Sequence, residues 1–267
     1  MDLQLAGKRA LVTGGSRGIG KAVARALAQE GVRVALLARQ EPALREAAAE
    51  LAAQCAATVV AVRADTTDEQ QVLAAVREAE GLLGGGIDIL VNAAAEPSGY
   101  AAPPKIEQIR AEYLLGEVDT KVMGYLRCAQ AVVPGMRERG WGRIVNVSGL
   151  GALQTGHTVG SVRNIAVAAL TKNMADELGR FGIQATVVHP GTTRTERTPA
   201  LVAAKAKARG VEPEVIEQEM AAQNSIRHLV DASEVADVVL FLCSPRSRAI
   251  NGDAIAVGGG APRGIRY

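Results

Sequence analysis

Gly14, Gly18 and Gly20 stand in "TGGSRGIG" (Thr13–Gly20), between an apolar run at Arg9–Thr13 and an amphipathic segment at Ile19–Gln29. Glycines leave the backbone bare where a phosphate must come close. The helix that follows aims the positive end of its dipole at the same spot. In this strand–turn–helix setting, Gly14, Ser16, Arg17, Gly18, Ile19 and Gly20 point to a bound dinucleotide rather than to an ordinary tight turn. The next apolar run, "VRVALLARQ", ends on Ala38 and Arg39, where an acidic residue would otherwise grip a ribose 2′-hydroxyl. Arg39 and Arg17 together suit a 2′-phosphate through charge-assisted contacts, so NADP(H) is preferred over NAD(H).

Hydride chemistry also needs a group that moves a proton. Ser148 lies in "RIVNVSG", and between it and Lys172 the only ionisable candidates are His157 and Arg163. An imidazole titrates near neutrality and suits the task, whereas a guanidinium only stabilises charge. Tyr100, in the loop "AAEPSGY", is expected to border the substrate pocket. Glu96 reads as solvated, and His189 as packing at a strand end.

The elements that position these groups alternate along the chain. Strands are expected near Arg9–Thr13, Val32–Ala38, Thr58–Val62, Ile87–Asn92, Gly142–Val147, Ile183–Val188 and Ala254–Val257. Helical spacing covers Ile19–Gln29, Pro42–Gln54, Asp68–Gly81, Ile106–Arg137, Ser161–Arg180 and Ser233–Ser244. Continuous apolar strands such as "IDILVN" fit a parallel sheet covered on both faces. The order predicts an α/β, Rossmann-type, doubly wound parallel sheet of about seven strands, forming one domain over residues 1–267. Only Thr192–Arg227 breaks the rhythm, and we expect a substrate lid at 192–227.

A 48% apolar and 22% charged composition allows a large core filled mostly by aliphatic residues. The net charge of +2, with no basic block, argues against nucleic acid or an anionic membrane as partner. Cys55, Cys128 and Cys243 are far apart, which fits free thiols and neither a disulfide nor a metal site. No signal-peptide layout or long apolar run is evident, so a cytoplasmic location is expected.

Over nearly its whole length the chain resembles the short-chain dehydrogenases/reductases. The motifs that carry the resemblance stand in order: "TGGSRGIG", "AD" with Asp65, "VNAA" with Asn92, "VNVSG" with Ser148, "HPGTTRTE" (His189–Glu196) and "INGDAIAVGGG" (Ile250–Gly260). The resemblance implies Asp65 and Thr66 beside the adenine, and Asn92 and Ala93 on the ribose side. It also implies Pro190, Gly191 and Thr192 along the nicotinamide, with Thr193 and Thr195 near its carboxamide or the phosphates. Turn capping competes for each threonine taken singly. A homotetramer or homodimer packed through the long helices is implied as well.

The resemblance fails at the catalytic pair. Active members carry a Tyr-x-x-x-Lys after the serine, and an Asn on the preceding helix. Anchored on "AALTKNMADELG", the Tyr position is Gly160 and the Lys position Asn164, with Ser161 and Ile165 as the off-by-one alternatives. In "EVDTKVMGYL", Lys121 stands where the Asn belongs. This suggests a reciprocal exchange, with the Lys121 ammonium entering the same pocket from the opposite helix. An ordinary interfacial lysine is the competing reading.

The expected function is an NADP(H)-dependent oxidoreductase acting on a carbonyl, alcohol or activated double bond of a small-molecule substrate. Its non-standard site is built on Ser148, Lys121, His157 and Asn164. The alternative is an inactive NADP(H)-binding member with a sensing or assembly role. Basic stretches "TRTER" and "AAKAKARG" hint at an anionic or acyl-carrier-linked ligand, against solvated charge as the plainer explanation.

Overall fold

Alternation of short β-branched runs with amphipathic segments resolves into strand–helix units whose apolar faces must be buried on both sides of a sheet. The computed structural model describes residues 1–96 and 103–261. The first half contains β1 (Arg9–Thr13), α1 (Gly18–Gln29), β2 (Arg33–Ala38), α2 (Glu41–Cys55), β3 (Val59–Arg63), α3 (Glu69–Leu83) and β4 (Ile89–Asn92). After it come α4 (Ala111–Val118), α5 (Gly124–Arg139), β5 (Gly142–Val147), α6 (Thr158–Leu178) and β6 (Ile183–Pro190). The chain continues through β7 (Thr193–Arg194), α7 (Thr198–Arg209), α8 (Pro213–Ala221), β8 (Val230–Asp231), α9 (Ala232–Cys243) and β9 (Ala254–Val257).

Seven strands form one parallel sheet in the order β3-β2-β1-β4-β5-β6-β9, so the chain reverses direction across the sheet between β1 and β4. Ligands bind at the carboxyl ends of strands at such a switch point. Alternation within β1 feeds both layers. Ala10 and Val12 face the core under α1, α2 and α9, while Leu11 faces the core under α3, α5 and α6. The expected single-domain, doubly wound fold is the fold observed. Cys128 and Cys243 are buried free thiols. Burial pushes both up to about 12. No helix among the described residues is long and apolar enough to cross a membrane.

One expectation needs correction. The continuous helix expected over Ile106–Arg137 is broken. A short 3-10 turn (Ile106–Gln108) leads through extended backbone at Ile109 and Arg110 into α4, and a π-turn (Asp119–Met123) separates α4 from α5. The wider π-turn admits one extra residue and re-aims side chains, a device common at functional sites. Here it carries Lys121 inward, to 4% exposure. In the segment 192–227, α7 and α8, together with Leu229, enclose a small core of Val202, Ala206, Ile216 and Met220.

Candidate active site

Thr13 ties the two strand ends at the switch point together. Its Oγ1 accepts hydrogen bonds from the N–H groups of Ala93 (3.1 Å) and Ala94 (3.2 Å). Above it opens a cleft of about 650 Å³, lined by Gly14, Ser16, Arg17, Gly18, Ile19 and Gly20 and by Arg39, Thr66, Ala93 and Thr195. The glycines are required by space. A Cβ on Gly20 would come within 2.3 Å of Gly14 O, and one on Gly14 within 2.8 Å of Ala93 O, besides a φ of +67° there.

A carboxylate already uses this cradle. The Gly18 N–H at the α1 N-terminus donates to both oxygens of Glu196, at 3.0 and 3.1 Å. An anion held by that amide and the helix dipole is a stand-in for a phosphate, so the residues present fit a dinucleotide. Glu196, drawn from the loop before α7, is a partner that its place in "HPGTTRTE" did not reveal. Glu96 is likewise not simply solvated: it pairs with Arg39 at 2.5 Å.

Two residues carried over from the resemblance do not line the cleft. The Asp65 carboxylate accepts from the N–H (3.0 Å) and hydroxyl (2.8 Å) of Thr67, closing its own turn, while Thr66 lines the cleft. Asn92 is fully buried and donates to Asn146 Oδ1 at 2.9 Å, bracing β4 against β5. Pro190, Gly191, Thr192 and Thr193 line a second, adjoining cavity of about 590 Å³. Thr193 also donates to Gly191 O at 3.0 Å, so turn-making and cleft-lining coexist there.

Where the two cavities meet, Lys121, Ser148 and Arg163 line both. Lys121 Nζ donates to Ser148 O (2.9 Å) and to Asn164 Oδ1 (3.1 Å). The π-turn and α6 thus place the two exchanged residues in hydrogen-bond contact. Bare backbone makes room for the amide: a Cβ on Gly149 or Gly151 would stand 3.1 or 3.2 Å from Asn164 Nδ2. Both acceptors on the ammonium are neutral, and burial lowers Lys121 to about 8. An ammonium has three donors, so one remains for a ligand in the cleft. The Ser148 hydroxyl donates to the main-chain oxygen of Asn164 at 2.9 Å. In this rotamer Ser148 offers a ligand only lone pairs, and it must rotate to donate to a carbonyl.

His157 is placed elsewhere. Its Nδ1 accepts from the Gly160 N–H at 3.0 Å and caps α6, which starts at Thr158 rather than at the expected Ser161. A Cβ on Gly160 would lie 3.1 Å from the imidazole, so the ring covers the Tyr position without lining either cavity. Arg163 is 8% exposed and paired with Glu117 of α4, a contact between helices that local sequence does not encode. Tyr100 lies outside the described residues.

Comparison with known proteins agrees with the fold. A protein-family model described as enoyl-(acyl carrier protein) reductase matches residues 14–262. The chain is 34% identical to dehydrogenase/reductase SDR family member 4 of Oryctolagus cuniculus over 264 residues, 97% of this chain and 95% of that one. Its structure is similar to that of L-sorbose reductase from Gluconobacter frateurii, solved with NADPH and L-sorbose. The TM-score is 0.93 at 30% identity, covering 99% of this chain and 100% of the other. An actinorhodin polyketide ketoreductase variant with NADPH gives a TM-score of 0.87 at 31% identity, covering 96% and 98%.

Proposed function

Because the chain belongs to the short-chain dehydrogenase/reductase family, we propose that it is an NADP(H)-dependent oxidoreductase of small carbonyl compounds or alcohols in which Lys121 handles the proton. The dinucleotide, when bound, supplies or accepts the hydride. Support for the 2′-phosphate form comes from Arg17 and Arg39 on the cleft wall, from Ala38 in place of an acid, and from similar reductases solved with NADPH. In this reading the Gly14–Gly20 turn holds the diphosphate and Arg39 the 2′-phosphate. Thr66 and Ala93 flank the adenosine half. Pro190 to Thr195 flank the nicotinamide half.

The observation that carries the proposal is the buried Lys121 ammonium at the junction of the two cavities, hydrogen-bonded only to neutral oxygens. A buried lysine titrating near 8 is well matched to donating a proton to a developing alkoxide, and to taking one back in the alcohol direction. Asn164 and the Ser148 carbonyl hold the ammonium in place, and Ser148 positions the substrate oxygen. His157 acts as a helix cap. Exposed Leu115, Val162 and Ile165 on α4 and α6 support packing of these helices in a homodimer or homotetramer.

The test is an NADPH fluorescence titration followed by a carbonyl and enone panel read as NADPH oxidation, with Lys121→Met and Ser148→Ala as controls. Saturable binding with Lys121-dependent turnover supports the proposal. Tight binding without turnover across the panel would favour the silent, sensing member of the family. Absence of NADPH binding would overturn both.

A further inference from the structure

The two cavities differ in charge. Lys121, Arg163 and Arg197 line both, but the dinucleotide cleft also carries Glu96 and Glu196, whereas the second cavity adds Lys205 and is lined by no carboxylate. Like charges gathered around a confined volume repel one another and favour an anion there. Two of the four are buried: Arg163 is neutralised by Glu117 of α4, whereas Lys121 has only neutral acceptors and keeps its charge for the cavity. Lys205 is carried in by α7. It lies one turn beyond Leu201, on the same face, and both line the cavity. Its neighbour Arg209 is spent on Glu219, while Lys205 has no ion-pair partner among the described residues. Leu150, Leu201 and Met220 supply an apolar wall.

We propose that this cavity selects carbonyl substrates bearing an anionic group, a carboxylate or a phosphate, and that Lys205 on α7 receives that group. The inference rests on the carbonyl-reductase reading and gives it a substrate class. It also assigns α7 a function, since the helix would bring a specificity-determining cation to the ligand. An anion bound there would favour the charged form of Lys121, the form that donates the proton.

Calorimetry on the NADP⁺-loaded chain tests this without turnover, because a ketone then has no hydride to take up. Two matched pairs without a free hydroxyl separate the sources of charge: levulinate against its methyl ester, and acetonyl phosphate against methoxyacetone. The charged member of at least one pair should bind about tenfold more tightly than the neutral one, and its advantage should shrink between about 20 and 200 mM KCl. Lys205→Glu should remove most of that preference, Lys205→Gln part of it, and neither should alter binding of the neutral member. Equal affinity within both pairs, no binding of either charged probe, or a preference untouched by Lys205→Glu would overturn the inference. Failure of NADP⁺ to bind would instead count against the functional reading, and the same probe pairs on the unloaded chain would still judge the charge preference.

Discussion

Lys121 Nζ lies 3.1 Å from Asn164 Oδ1, joining a π-turn between α4 and α5 to the first half of α6 across 43 residues of sequence. The pair places an ammonium where the two cavities meet. If that ammonium donates the proton, the pH profile of reduction must report it. We predict a kcat/KM that is flat below about 8 and falls above it. Asn164→Asp puts a carboxylate beside the ammonium and should move that limb up by about one unit or more. A limb that stays in place in the variant would detach it from Lys121.

The same group makes a stability prediction. Its folded value of about 8 lies below the ordinary 10.5, so between those values the unfolded chain binds more protons and stability rises with pH. Below 8 both states are protonated and the full burial cost is felt. The buried thiols titrate with the opposite sign above 9, so the comparison is wild type against Lys121→Met. Between pH 8 and 10 wild type should gain roughly 2 kcal/mol relative to the variant, measured by denaturant melts. A pH-independent difference would contradict a buried, charged Lys121.

His157 caps α6 through Nδ1, and removing a cap costs about 1 kcal/mol. His157→Ala should therefore lower the melting temperature by a few degrees and leave turnover within about threefold of wild type. A loss of about a hundredfold in kcat would instead make the imidazole the proton donor.

Glu196 occupies the Gly18 amide that a diphosphate would use. Glu196→Gln removes a competing charge from the α1 N-terminus, and NADPH should bind about threefold to tenfold more tightly by fluorescence titration. Unchanged or weaker binding would mean that the carboxylate does not compete.

How much of this was legible in the sequence depended on distance along the chain. The cradle was, because Gly14 to Gly20 form one local turn whose glycines answer to local sterics. The sheet was, because each strand is a continuous apolar run bounded by a helix pattern. The π-turn was not: an amphipathic pattern continues across Asp119–Met123, and nothing local announces a wider turn. Lys121 and Asn164 were singled out as a pair of mismatches, but their contact is a tertiary fact. Glu196 on Gly18 spans 178 residues, and Arg163 with Glu117 bridges two helices, so neither has a sequence signature. The motif positions of Asp65 and Asn92 likewise give no sign of the turn that Asp65 closes on Thr67 or of the contact Asn92 makes with Asn146.

The most direct test of the central claim is steady-state NADPH oxidation by Lys121→Met on the best carbonyl substrate of the panel, run beside an NADPH titration of the same variant. NADPH affinity should stay within about threefold of wild type while kcat falls by about 10² or more. A variant that binds NADPH normally and turns over within about threefold of wild type would contradict it.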